Sequence, residues 1–343
     1  MERVCIFCGE RPESKTSEHV LPQWLIELTG NPKRTAKFGY KHLENGQFVE
    51  RKFSFSNFKF PACKSCNQIF ANLEADAKDI AQKIISEDSL SESELGTLLD
   101  WFDKIRIGLW LGYLYLDKNP LGISPHYYIE HRVRQHDRML AIFKADRARE
   151  GLTFTGCDTP AFAYTPSCFS LGINNFCFLN MSCPNLLARR MGFPFPFETY
   201  MMEDEKVYCR FAKGRNVIMR PVLKKFISIQ GTELYQPIFS GNIYMVDSAG
   251  LKRLYDTEYI HDNCISWEKG IGKIFINSDS EVKTYSASPS REWIPKRTHA
   301  FEDLLFKIQI LTLDWQLYII DNLHPSLNHS LKKKGVVFLR PST

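Results

Sequence analysis

At 343 residues the chain exceeds the roughly 250 at which a single hydrophobic core stops growing, so two or three structural units are expected. Hydrophobic residues at 44% and charged residues at 24% exclude global disorder, and a net charge of +5 is too small to identify a polyanionic partner. Ten cysteines are too dilute for a disulfide scaffold, and the N-terminus lacks a signal-peptide pattern, so the expected location is cytoplasmic.

Residues 1–88 make the first expected unit. Cys8-Gly9 predicts the tight turn of a metal knuckle, followed by polar loop through Thr16. Val20 to Leu28 reads as a short helical or irregular segment. From Lys37 to Phe60 the pattern is hairpin-like, with Asn45-Gly46 as a two-residue type I′ turn. After Cys66, the residues Ile69, Phe70, Leu73, Ala77, Ile80, Ala81 and Ile84 recur at three-to-four spacing and predict an amphipathic helix.

Residues 89–122 read as a helical connector. Ser91 and Glu94 form a capping box, and the helix runs through Leu99, Phe102, Ile105 and Leu109 to Leu116 before Asn119-Pro120-Leu121-Gly122 stops it. Trp101, Trp110, Tyr113 and Tyr115 put bulk around its circumference, which predicts an enclosed helix. Its apolar run from Ile105 to Leu116 falls short of the roughly twenty residues that span a bilayer, so no membrane partner is expected.

Residues 123–343 are expected to form a larger mixed α+β domain for recognition, regulation or dimerisation. Strand-like runs occur at Tyr127 to Ile129, Met139 to Phe143, Asn175 to Met181, Val217 to Met219 and Gly241 to Val246. Phe301 to Ile320 fits one long helix or two strands, with length favouring helix. Lys332 to Leu339 reads as a basic turn entering a short strand. The fold class expected for the whole chain is α+β.

The chemistry concentrates near the N-terminus. Cys5 and Cys8, then Cys63 and Cys66, are two Cys-x2-Cys pairs separated by 54 residues. Four thiolates in two such pairs make a closed tetrahedral structural zinc site. Between the pairs lies Ser17-Glu18-His19-Val20-Leu21-Pro22, and Asn67 directly follows Cys66. A histidine can take the proton of an attacking water near neutral pH. Glu18 and Asn67 offer the hard oxygen donors that magnesium prefers, and such an ion at a phosphodiester would stabilise the departing 3′ oxygen and leave a 5′-phosphate. Glu74, two helical turns beyond Asn67, fits a distal ion ligand, an organiser of a phosphate-bound water, or a surface charge.

Together CIFC, SEHVLP and CKSCN resemble the HNH, or ββα-metal, endonuclease superfamily in its four-cysteine form, represented by phage endonuclease VII and many bacterial HNH nucleases. The resemblance covers residues 5–74. It implies a catalytic Mg2+ or Mn2+ between a β-hairpin and a helix, with Glu18 as the acidic ligand, His19 as the general base, Asn67 as the amide ligand and Asn57 as the asparagine that orients the base. It further implies DNA as substrate with RNA as a second candidate, a homodimer that sets two sites against two strands, and a setting in phage defence or on mobile elements.

Lys15, Lys59, Lys64 and Gln68 are the candidate nucleic-acid contacts, in a segment where thirteen Lys or Arg stand against ten Asp or Glu over residues 1–85. The basic window His131 to Arg138 fits either a nucleic-acid face or a solvated strand edge. Cys157, Cys168, Cys177 and Cys183 lack paired spacing and are expected to be buried free thiols. The competing functional reading is a non-catalytic zinc-stabilised module that binds nucleic acid or another protein.

Overall fold

A computed structural model describes residues 4–13, 16–43, 45–116, 122–125, 127–133, 137–147, 150–183, 186–191, 195–201, 207–212, 231–236, 243–245, 264–266, 271–272, 275–278, 281–284 and 298–323. The architecture is mixed α+β. In chain order the N-terminal part contains β1 (Ser17–His19), α1 (Gln23–Leu28), β2 (Thr35–His42), β3 (Phe48–Ser54), a 3-10 turn at Phe55–Asn57, β4 (Lys59–Pro61) and α2 (Lys64–Ile85). β1 lies antiparallel to β4, and β2 pairs with β3 as the hairpin inserted between them.

Two local expectations are corrected here. The turn of the β2–β3 hairpin is not the two-residue type. The Leu43 N–H donates to the Gln47 carbonyl at 2.8 Å, Gly46 N–H donates to the Leu43 carbonyl, and Gly46 takes φ +82°, which together make a three-residue loop ending in a glycine bulge. The α2 periodicity also misplaces one residue. Ala77, Ile80, Ala81 and Ile84 are buried, but Ile69 is 70% exposed, because the first turns of α2 meet the metal knuckle on one narrow side only.

The next helix, α3 (Glu92–Leu116), opens with the capping box read from the sequence: the Glu94 N–H donates to the Ser91 hydroxyl, and the Ser91 N–H donates to the Glu94 carboxylate at 2.7 Å. Every residue from Leu98 to Leu114 is buried. Its N-terminal-unit side fits closely because of Gly112. A Cβ there would stand 2.9 Å from the Phe60 ring and 3.2 Å from that of Phe58, so only glycine lets β4 approach the helix.

The opposite side of α3 meets a sheet. After α4 (Ile129–Arg132) come β5 (Arg138–Ala145), β6 (Leu152–Thr155), α5 (Pro160–Tyr164), β7 (Cys168–Ile173), β8 (Phe176–Ser182), α6 (Leu186–Met191), β9 (Phe195–Met201), β10 (Val207–Ala212), β11 (Thr232–Gln236), β12 (Ile243–Met245), β13 (Cys264–Ser266), β14 (Ile271–Gly272), β15 (Phe275–Ser278), β16 (Glu281–Thr284), β17 (Thr298–His299) and α7 (Phe301–Leu323). The main sheet runs β16-β15-β11-β5-β8-β7-β6 with antiparallel neighbours, and β17 adds a parallel pairing to β5. Strand alternation divides its side chains. Leu140, Ile142, Phe169, Leu171, Phe178 and Leu234 join the core shared with α3 and the N-terminal part. Met139, Ala141, Phe143, Leu179, Met181 and Tyr235 face the core built with Leu304, Ile308, Leu311, Trp315 and Ile319 of α7. Phe301 onward is thus one helix.

The run at Tyr127 to Ile129 is not a strand. Ile129 instead begins α4, and the N–H groups of Ile129 and Glu130 in its first turn donate to the carbonyls of Ile6 and Phe7, which clamps the knuckle. Two arginines of the basic window turn inward, while His131 is exposed. Arg132 stacks over Tyr127, and Arg138 is buried against Asp100 at 2.7 Å and Asp103 at 2.6 Å. Arg106 completes this enclosed network with Asp103 at 2.8 Å and Asn180, while Gln236 caps Arg138 at 2.8 Å. Cys157, Cys168, Cys177 and Cys183 are buried free thiols, as expected. The runs at Val217 to Met219 and Lys332 to Leu339 lie outside the described residues. Among the described residues no helix is long and apolar enough to cross a membrane.

Candidate metal centre

The two cysteine pairs converge. The sulfurs of Cys5, Cys8, Cys63 and Cys66 all lie within 4.8 Å of one another, and those of Cys8 and Cys63 are 3.9 Å apart. A tetrahedral zinc with Zn–S bonds of about 2.3 Å requires sulfurs about 3.8 Å apart, so the donor set and its spread fit that ion. The first pair sits on a turn where Gly9 takes φ +84° and lies directly under the Tyr128 ring. The second sits at the start of α2, with Cys63 as the residue before the helix and Cys66 in its first turn.

The electrostatics of the bare thiols explain why a cation belongs there. Burial works to raise the Cys5 pKa, yet backbone N–H groups of Cys63, Cys8 and Phe7 outweigh it and hold the thiol below its ordinary value. Cys63 is pushed up to about 11 by burial and by its neighbours Cys5 and Cys8, and Cys66 is raised further for the same reasons. One sulfur is readied as an anion while others resist. A dication relieves that conflict by binding all four sulfurs as thiolates at once.

From this clip the polar residues of the SEHVLP string are carried outward. Ile6 N–H donates to the Pro61 carbonyl and Ala62 N–H to that of Thr16, which ties β1 and β4 to the knuckle. In the β1–β4 register Glu18 stands opposite Phe60 and His19 opposite Lys59. Pro22 then opens α1, accepting the N–H groups of Leu25 and Ile26. Asn67 lies in the first turn of α2, one residue past Cys66, and its Oδ1 is enclosed with no hydrogen-bond partner. A buried amide oxygen without a donor is costly unless something absent from the protein itself satisfies it, and a hard cation is a suitable occupant.

Glu18 and Glu74 are brought together by a residue that the motif reading did not include. Lys104, on α3, places its ammonium 2.9 Å from Glu18 Oε1 and in an ion pair with Glu74 Oε1. Glu74 Oε2 accepts the indole N–H of Trp24 at 3.0 Å and of Trp101 at 3.4 Å. Glu74 is therefore no surface charge. Burial alone would lower the Lys104 pKa, but the two carboxylates outweigh it and hold the ammonium above the ordinary lysine value. The sequence signal for Lys104 was a cation in the middle of a helix bulky on all sides, where a charge must find a buried partner.

The remaining candidates are spread around this centre. Asn57 ends the 3-10 turn before β4, two residues from Lys59, and both line a groove with Arg51, Lys52 and Phe53. Lys64 and Gln68 are exposed on α2, and Lys59 is exposed on β4. Lys15 lies outside the described residues. Compared with protein families, with curated proteins and with solved structures, the chain matches none.

Proposed function

We propose that the N-terminal part is a metal-dependent phosphodiesterase site of HNH type that hydrolyses DNA, with zinc in the four-cysteine clip and Mg2+ or Mn2+ as the catalytic ion. One arrangement carries the reading. The strand bearing Glu18 and His19 pairs with a strand that runs through Cys63 into the helix bearing Asn67, whose carbonyl oxygen is enclosed and unpartnered.

In this reading Glu18 and Asn67 supply the oxygen donors, and His19, at the end of β1, takes the proton from the attacking water. Asn57, on the turn beside that strand end, orients the imidazole. A bound divalent ion supplies charge stabilisation at the phosphate and the departing oxygen. The exposed Lys59 and Lys64 contact the phosphate backbone in a salt-dependent way.

The test is cleavage of DNA and RNA side by side by the purified full chain in magnesium, with chelator controls. His19→Ala is expected to lower cleavage by about 10²–10⁴-fold while zinc content and melting temperature are unchanged. Equal cleavage by wild type and His19→Ala overturns the assignment of the base. Zinc-dependent DNA binding with no turnover under any divalent ion favours the non-catalytic module instead.

A further inference from the structure

We infer that Lys104 is a positioning residue of this site: its ammonium fixes the Glu18 carboxylate from beneath and so presents it to the catalytic cation. The inference rests on the nuclease reading above and adds to it a residue from outside the β1–β4–α2 unit. Glu74, in turn, serves to hold the ammonium.

The burial order carries the argument. The Lys104 side chain is 1% exposed, that of Glu74 14% and that of Glu18 23%, so the ammonium lies on the protein side and the carboxylate of Glu18 on the outer side. A lysine blocking the ion's position from solvent would show the reverse order. An ammonium withdrawn from water requires close partners, and this one has two carboxylates and the Phe7 ring at 5.7 Å. Glu74 cannot turn away, because its second oxygen is held by two indoles. The rigid end of the chain of contacts is thus Trp24, Trp101 and Glu74, and the adjustable end is Glu18.

One consequence follows for a cation. One oxygen of Glu18 is committed to Lys104, so the carboxylate is restrained before any ion arrives, and the ion need not immobilise a free glutamate side chain. The two glutamates outnumber the one ammonium, so the cluster keeps a net negative charge although Lys104 lessens it. The positioning effect acts through Glu18.

The experiment uses the zinc-loaded full chain and Mn2+ as the probe, with bound ion read from loss of the free-ion electron paramagnetic resonance signal. Wild type is expected to bind Mn2+, and Glu18→Gln to abolish that binding. Lys104→Met alone also deletes a positive charge, which by itself favours a dication, so the test uses Lys104→Met combined with Glu74→Gln, which removes one charge of each sign and keeps an oxygen for the indoles. That double variant is expected to weaken Mn2+ binding by about 10–100-fold, the range found when a group that orients a metal ligand is removed, with normal zinc content and melting temperature. In cleavage it should raise the magnesium concentration for half-maximal rate by a similar factor, with kcat at saturating metal within a few-fold of wild type. If wild type binds Mn2+ and cuts DNA while the folded double variant binds Mn2+ as tightly, the inference is overturned and the nuclease reading stands. If wild type neither binds Mn2+ nor cuts, the nuclease reading fails and the inference falls with it.

Discussion

Helix α3 supports two polar clusters on different sides, and they are built to opposite rules. Toward the sheet, Asp100 and Asp103 face Arg106 and Arg138, with Asn180 and Gln236 closing the ends; acids and bases balance and all six side chains are buried. Toward the four-cysteine clip, one buried lysine faces two glutamates that grow more exposed outward. The balanced, closed cluster fixes how the sheet sits on α3. The unbalanced, graded one leaves a net negative charge directed outward. The contrast separates a structural ion network from a candidate reactive one without reference to any relative.

The comparison is broken most severely by removing the clip metal. Structural zinc contributes an apparent ~10–16 kcal/mol in small zinc-dependent peptides, far more than any single contact around Lys104. Stripping the metal with a strong chelator, or Cys66→Ser, is expected to expose backbone amides of residues 5–85 to hydrogen exchange while β5 and β8 keep their protection. The four-cysteine cluster is joined to the rest by one continuous core, so the melting temperature should fall as well. Unchanged exchange in residues 5–85 after verified metal loss would show that the thiols are not a folding element.

The second break is aimed at the sheet side. Asp103 pairs with both Arg106 and Arg138, and Asp103→Ala leaves two buried guanidinium groups short of a partner. Loss of one member of a buried network costs about 3–5 kcal/mol, measurable as a lowered urea midpoint. The affinity for Mn2+ should not change, because Lys104 and its glutamates are untouched. A parallel loss of Mn2+ affinity would mean that the two clusters act as one.

These two clusters also mark how far the sequence could be read. The clip was legible because paired spacing is a local signal, and the capping box of Ser91 and Glu94 is legible for the same reason. The two faces of α2 were legible from their period, apart from Ile69, whose exposure depends on how little of the knuckle reaches it. Lys104 was not read, since its partners Glu18 and Glu74 stand 86 and 30 residues away. Arg138 was taken with its basic neighbours as surface, although Asp100 and Asp103 on the preceding helix draw it inside. Strand order was equally hidden: β11 lies between β5 and β15, and nothing within those segments names the neighbour. For His19, Asn57 and Asn67 the sequence supplied the positions, and the cleavage experiment is what assigns their roles.

A pH series sharpens the contrast with the smallest expected effect. Asp137, the residue before Arg138, is enclosed, and the partners of its carboxyl among the described residues are a hydroxyl and backbone N–H groups. Burial pushes its carboxyl up to about 7, against the opposing pull of the Tyr235 hydroxyl and the N–H groups of Ala188 and Leu187. The folded state therefore retains a proton that the unfolded chain has already released. Stability from this group is fully present below the unfolded value near ~4 and is lost as pH rises through about 7. Between pH 5 and pH 7 the expected decline is about 2–3 kcal/mol, at ~1.4 kcal/mol for each unit. Asp137→Asn cannot ionise, and its amide can keep an oxygen toward the Ala188 N–H as the protonated acid does, so its urea-unfolding stability should lack that slope. An equal pH slope in wild type and Asp137→Asn would assign the response to another group. A slope confined to wild type would place the acid-linked stability on the α7 face of the sheet, where the Asp137 carboxyl meets Tyr235 and Ala188.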